Sequence, residues 1–454
     1  MAARPPRASI ATYMPAEVGR LRAENEALRR ELAVHATPAS SNQLEQPVAS
    51  RRLNTWAVGA LAAAALSAVV GLGASPHGIL GGNAQERWHD TPCPDGVTVP
   101  LVNASSRVLV TGGAGFIGMS LMASLGKRDA RTRPAVVVGV DSFNDYYAPA
   151  MKRGRAARLK HEFGYDVVEA DVCNTSVVDG LFEKYTFTHV VHLAAQAGVR
   201  YSITHPMTYA RNNLECVVSL LNYVAHRTPQ PAYVYASSSS VYGLNKKIPF
   251  SELHAIDHPA NLYGISKFAG EQIAAAYHNL HGLKSVGLRF FTVYGPWGRP
   301  DMAVSLFTNE IENGETITLF NGGDMRRDFT YVDDVVRGVE FAMEYCADNA
   351  AVFNLGNSKP VQLGYVLAQI EKRLGVKAKF KYQASNAEIK ETYADISKAR
   401  ELLGYSPTTS IESGLDQFMA WYNKLDKRTR GEWAGGRFKA ERQNAHLEGT
   451  RGRV

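Results

Sequence analysis

The stretch Thr111-Gly112-Gly113-Ala114-Gly115-Phe116-Ile117-Gly118 decides the fold. It follows an apolar, strand-like run, Val108-Leu109-Val110, and leads into a helix-like run. Its glycines at Gly112, Gly115 and Gly118 suit three demands of a dinucleotide-binding turn: backbone freedom, close approach of a pyrophosphate, and tight packing of helix on strand. The phosphates then meet the positive end of a helix dipole. Phe116 and Ile117 belong to the same cofactor-binding stretch. A second apolar run, Val136 to Val140, ends at Asp141, about 20 residues on, where an acid is expected to hold both ribose hydroxyls. A carboxylate there would repel a 2′-phosphate, so the expected cofactor is NAD rather than NADP.

Outward from this stretch, strand-like and helix-like runs alternate. His189-Val190-Val191-His192-Leu193 and Tyr233 to Ala236 repeat the strand pattern, and 204–227 and 261–281 have helical character. Such alternation implies an α/β fold, a Rossmann-type doubly wound parallel sheet covered on both faces. We expect this dinucleotide domain over 105–290. A smaller, more irregular α/β part over 291–426 would bind substrate, and a basic, disordered tail would occupy 427–454.

The N-terminal region has a different composition. Residues 1–52 carry Val18, Leu21, Asn25, Leu28, Leu32 and His35 in alternating steps of three and four. That is a short heptad seam compatible with a two-stranded coil, or equally with a single amphipathic helix. Trp56 to Ala74 contains no charge and approaches the roughly 20 residues that span a bilayer, with Arg51 and Arg52 just before it. The expectation is a type II transmembrane helix over 53–75, an N-terminus in the cytosol, and a Gly- and Pro-containing stem over 76–104. The net charge of +7 is concentrated in the termini and gives no basic face for nucleic acid. Four scattered cysteines, Cys93, Cys173, Cys216 and Cys346, have neither metal-ligand spacing nor disulfide-like density. They are expected to be isolated small residues, with no metal site.

Tyr263-Gly264-Ile265-Ser266-Lys267 places a phenol and an ammonium four residues apart, on one helix face. The ammonium can lower the phenol's pKa and hold a nicotinamide ribose, which makes Tyr263 an acid–base candidate and Lys267 its partner. The strand ending Ser237-Ser238-Ser239-Ser240 offers hydroxyls to the same reacting oxygen. At least one of these serines is expected to do no more than cap the strand.

Together these motifs resemble the extended short-chain dehydrogenase/reductases. That resemblance implies that Asp171 holds the adenine, with Val172 beside it, that Leu193-Ala194-Ala195 line the cofactor, and that Asn213 supports the site. It also assigns Ser238 as the catalytic hydroxyl, with Ser239 and Ser240 as rivals against the substrate. Two segments resemble the UDP-glucuronate 4-epimerase family in particular. One is Asp141-Ser-Phe143-Asn144-Asp-Tyr146-Tyr147-Ala-Pro149-Ala-Met151-Lys152, in which Met151 stands where that family has Leu. The other is Arg289-Phe290-Phe291-Thr292-Val293-Tyr294-Gly295-Pro296-Trp297-Gly298-Arg299-Pro300-Asp301-Met302. By this resemblance Asn144 and Phe291 contact NAD, Thr292 and Arg299 receive a sugar carboxylate, and Arg327 in Arg326-Arg327-Asp328-Phe329 reaches a UDP diphosphate. It implies interconversion of UDP-glucuronate and UDP-galacturonate through a 4-keto sugar. It further implies a homodimer and, given the anchor, a Golgi membrane location. The competing expectations are a UDP-glucuronate decarboxylase, another UDP-sugar 4-epimerase, and an inactive enzyme fold serving as a membrane scaffold.

Overall fold

The structure is a computed structural model that describes residues 101–346, 349–383 and 390–435. The described residues belong to one compact unit. The expected heptads, transmembrane helix and most of the stem lie outside the described residues. Among the described residues, no helix is long and apolar enough to cross a membrane.

Seven strands form the main sheet: β1 Arg107–Thr111, β2 Val136–Asp141, β3 Asp166–Glu169, β4 His189–His192, β5 Ala232–Ser238, β6 Ser285–Phe290 and, as defined below, β10 Ala350–Leu355. Their spatial order is β10-β6-β5-β4-β1-β2-β3, with every neighbouring pair parallel. Side chains alternate between the two faces, as the strand period requires. Val108 and Val110 enter one apolar cluster, and Leu109 between them enters the other. Each face is covered by helices, so burying both faces explains the near-continuous apolar runs in the sequence. The chain crosses from one side of β1 to the other between β3 and β4, which opens a crevice beyond the strands' carboxyl ends.

Beyond β6 lie β7 Thr292–Tyr294, β8 Thr316–Phe320, β9 Arg326–Tyr331, then β10, β11 Pro360–Gln362, β12 Lys379–Gln383 and β13 Glu391–Thr392. β9 pairs with β7, β11 and β13, while β8 pairs with β12. The division expected at residue 290 does not separate two bodies. β10 returns to the main sheet beside β6, in the register Ala350↔Ser285. Arg128, after the first helix, also pairs with Glu340 at 3.2 Å and Glu344 at 3.1 Å. An edge strand contributed from 60 residues downstream carries no local signature, so the sequence pattern could not reveal it.

Two further expectations are corrected. The tail begins with a helix, Lys427–Trp433, capped by Asp426. Its Trp433 ring lies 5.1 Å from that of Trp297, and its Arg430 pairs with Glu312. Basic composition concealed a segment whose one tryptophan docks it. The cysteines, expected to be isolated, are not: Cys173 and Cys216 form a disulfide across 43 residues, and Cys346 is disulfide-bonded as well. Only the fold brings the loop after β3 against the helix Cys216–Ala225.

Candidate active site

The carboxyl ends of the parallel strands carry the predicted residues in spatial order. At β1, the glycine turn folds under β2: Gly112 N and Gly113 N donate to Val140 O at 2.7 and 3.1 Å. Gly112 has φ +71°, and a Cβ there would lie 2.8 Å from the backbone nitrogen of Ala194. A Cβ on Gly118 would collide with the carbonyl oxygen of Gly112. Gly115 is the N-cap of the helix Phe116–Lys127 and makes no side-chain cap. The first-turn N–H groups, which side chains satisfy in other helices, are thus available to an anion. Phe116 is buried there, and Ile117 is half-buried.

At β2, Asp141 accepts from Ala114 N at 3.2 Å and from Phe143 N at 2.9 Å. Its carboxylate is therefore fixed against the glycine turn, where a ribose would lie. A cradle that side chains would fill, an uncapped helix start and an oriented acid together fit NAD. Beside them, Asn144 is exposed, and its Oδ1 accepts from Lys152 Nζ at 2.7 Å. Burial pulls the Lys152 pKa down to about 8.

At β3, Asp171 is half-buried and pairs with Arg211 at 2.7 Å, while Val172 packs in the core. At β4, Leu193 and Ala194 pass directly over Gly112, with the half-buried Ala195 following, and Ala194 N donates to Thr111 Oγ1 at 3.2 Å. Thr111 Oγ1 also shares a 2.7 Å hydrogen bond with His192 Nδ1. Burial, and then the charge of Lys267, pull the His192 pKa down to about 3, so this ring is neutral. Asn213 lies in a π-helical turn, Arg211–Glu215. It exchanges hydrogen bonds with the Gln196 backbone at 2.8 and 2.9 Å and donates to Ser266 Oγ at 3.0 Å. Its support of the site is thus a bridge from the loop after β4 to the helix that carries Tyr263.

That helix, Leu262–His281, starts at Asn261, whose Oδ1 caps Gly264 N at 2.8 Å. Gly264 sits against the Ser240 carbonyl so closely that a Cβ would collide with it. The helix start therefore lies directly on the serine turn. Tyr263 and Lys267 are half-buried in the crevice. Burial pushes the Tyr263 phenol above its ordinary value, while a hydrogen bond with Ser238 and the charge of Arg299 pull it back. Lys267 was expected to supply that pull. Its Nζ instead donates to Ala236 O at 2.9 Å, and burial lowers its own pKa to about 8.

The four serines now separate. Ser237 Oγ donates to Glu271 Oε1 at 2.5 Å, within a buried network where Arg289 pairs with Glu271 at 2.8 and 2.7 Å. Ser238 faces Tyr263 and also accepts from Ser240 N at 3.1 Å. Ser239 and Ser240 form the half-buried turn that follows.

On the sugar side, Thr292 and Arg299 line one small cavity together with Gly298 and Met302. Phe291, after β6, is buried, and its N–H donates to Leu355 O at 3.3 Å. Asp301 engages Arg299 through Nε at 3.0 Å and Nη2 at 2.5 Å. The Nη1 hydrogens are not used by Asp301 and can meet a substrate acid. Arg327 donates to the carbonyls of Arg326 at 2.9 Å and Lys390 at 3.4 Å. Its neighbour Asp328 is buried and accepts backbone N–H groups of Asn357, Ser358 and Ala394 at 2.6, 2.9 and 3.0 Å. Asp328 is therefore the clasp of the small sheet.

Two residues with a structural part in the site escaped the sequence reading. Arg155 is fully buried and donates to Ala114 O, Tyr147 OH and Trp297 O at 3.1, 2.7 and 2.6 Å. Tyr146 OH donates to Asp301 Oδ2 at 3.0 Å. Tyr146 stood inside a quoted segment without a role. Arg155 lay just past its end, among other basic residues on a helix, where charge alone suggests a solvated face.

A glycine turn, an acid oriented against it and a Ser–Tyr–Lys cluster at the strands' carboxyl ends define a class. The chain belongs to the NAD dependent epimerase/dehydratase family, whose model matches residues 108–356. Within that class it is similar to UDP-glucuronate 4-epimerases. UDP-glucuronate 4-epimerase 3 of Arabidopsis thaliana is 47% identical over 332 residues, 69% of this chain and 76% of the relative. The structure of UDP-glucuronic acid 4-epimerase from Bacillus cereus in complex with UDP-glucuronic acid and NAD is 35% identical. It covers 70% of this chain and 100% of its own, with a TM-score of 0.65. UDP-glucose 4-epimerase from Thermotoga maritima, with UDP-glucose, is 29% identical over 70% of this chain and 99% of its own, with a TM-score of 0.62.

Proposed function

We propose that this chain interconverts UDP-glucuronate and UDP-galacturonate by NAD-dependent epimerisation at C4. The observation that carries the reading is the convergence of two kinds of group: Ser238 and the charge of Arg299 both act on the Tyr263 phenol, and Arg299 shares its loop and a small cavity with Thr292. NAD, when bound, would supply the hydride acceptor for C4 and the hydride donor for the opposite face of the 4-keto sugar. Tyr263 takes the 4-hydroxyl proton and gives it back, and Ser238 holds the same oxygen. Lys267, fixed on Ala236 O, would hold the nicotinamide ribose with its charge. Arg299 binds the sugar carboxylate through its Nη1 hydrogens, with Thr292 as a second donor. That grip matters chemically, because a 4-keto uronic acid is a β-keto acid and loses CO2 once its carboxylate aligns with the carbonyl. Arg327 is the candidate for the diphosphate.

Incubating the purified protein with UDP-glucuronate and resolving the products tests this reading. The expected outcome is UDP-galacturonate with no net NADH. UDP-xylose with release of CO2 would establish a decarboxylase, and unchanged substrate would favour the scaffold reading.

The anchor, the compartment and the oligomeric state have separate support. The uncharged segment Trp56–Ala74 behind Arg51 and Arg52 supports a single-pass type II anchor. The disulfide Cys173–Cys216 is supporting evidence for an oxidising, lumenal compartment, in keeping with the Golgi. Homodimerisation follows from the habit of extended members. Protease protection of the catalytic part in sealed vesicles tests the topology, and digestion of intact vesicles from outside would overturn it.

A further inference from the structure

The loop carrying Arg299 is held from outside the sugar pocket. Trp297 has φ +62°, a conformation that a bulky residue keeps only where its surroundings enforce it. Its carbonyl receives the 2.6 Å bond from Arg155, and its ring packs on Trp421 at 5.7 Å and Trp433 at 5.1 Å. Four residues on, Asp301 grips Arg299 while accepting from Tyr146 at 3.0 Å. Tyr146 is in turn packed against the Tyr201 ring at 4.9 Å. Tyr146 comes from the segment that begins at Asp141, and Arg155 lies three residues beyond that segment's end at Lys152. Arg155 also holds Ala114 O in the glycine turn, so one buried guanidinium joins the cofactor loop to the sugar loop.

The geometry points to Tyr146 and Arg155 as positioning residues that aim Arg299 and so set the preference for a carboxylated sugar; this rests on the function proposed above. Neither needs to touch the substrate. Tyr146 fixes Asp301, and Asp301 occupies Nε and Nη2, which leaves Nη1 for a substrate acid. Arg155 fixes the start of the same loop. Without either brace, Arg299 keeps its charge and loses its aim. Glucuronate binding then suffers, and the nucleotide subsite does not.

Tyr146→Phe deletes one hydroxyl and keeps the ring, and Arg155→Lys keeps the charge and loses the fork. Calorimetry on the full-length holoenzyme reads Kd for UDP-glucuronate and for UDP alone. Both variants are expected to weaken UDP-glucuronate about tenfold, the scale of one hydrogen bond to a charged group, with UDP within about twofold, and Tyr146→Phe is expected to leave bound NAD unchanged. Unchanged UDP-glucuronate affinity overturns the inference. So does equal weakening of both ligands, which would mean general damage. Should Arg155→Lys fail to fold, Tyr146→Phe alone decides. A wild-type protein that fails to convert UDP-glucuronate at all would sink the underlying function instead, whatever the variants do.

Discussion

The cofactor loop and the sugar loop face each other across one crevice, yet they are built by opposite means. The glycine turn 112–118 is shaped by what is missing, since a Cβ at Gly112 or Gly118 would meet backbone. The sugar loop 297–301 is shaped by what is added, namely the side chains of Arg155, Tyr146 and Trp433 reaching in from elsewhere. A backbone-defined site suits a ligand common to many enzymes. A site held by distant side chains can be retuned by changing its supports.

Tyr263 lies where the two regions meet, and its loss should have the largest effect. Tyr263→Phe is expected to lower turnover about 100- to 10,000-fold, the range for a positioned acid–base group, while NAD stays bound. Product formation and the nucleotide released on denaturation check this. Full activity would remove Tyr263 from the mechanism. Gly118→Ala comes next, because its Cβ meets the Gly112 carbonyl, which is backbone and cannot step aside. Strain of about 1–3 kcal/mol would weaken NAD binding by roughly one to two orders of magnitude. NAD titration followed by tryptophan fluorescence reads it, and an unchanged Kd would show that the turn is not defined by absence.

The same contrast explains what was legible. Absence of side chains and strand–helix alternation are local patterns, so the glycine turn, Asp141 and the strands β1, β2, β4 and β5 could be placed from the sequence. The i, i+4 pair Tyr263 and Lys267 was also local. What the sequence concealed was assembled from distance. The Cys173–Cys216 bond, β10 beside β6 and the docking of Trp433 each join residues remote in the chain. Resemblance marked the segment after Asp141 as diagnostic of the sugar, but gave no physical reason. The structure supplies one, since Tyr146 within it, and Arg155 just beyond it, reach the sugar loop.

A smaller effect separates the two roles of Lys267. Burial lowers its pKa from 10.5 to about 8, so between those values the unfolded chain binds the extra proton and the folded chain does not. Stability of the nucleotide-free protein therefore rises with pH across that window, and the burial cost is fully present below about pH 8. Relative to Lys267→Met, the wild-type Tm should climb from pH 8 to 10.5. Parallel Tm curves would mean that the ammonium is not desolvated and serves only as a charge for the ribose.

The smallest effect concerns how Tyr263 is aimed. Its helix begins with a capping bond from Asn261 and with Gly264 pressed on the Ser240 carbonyl. Asn261→Ala removes only the cap and should cost about 1 kcal/mol of stability. The backbone contact at Gly264 remains, so Tyr263 should keep its place and turnover should fall less than about twofold. A stability loss with intact turnover would show that the catalytic helix, like the glycine turn, is placed by close backbone approach. A parallel fall in turnover would move Tyr263 to the other side of the comparison, among residues aimed by a neighbouring side chain.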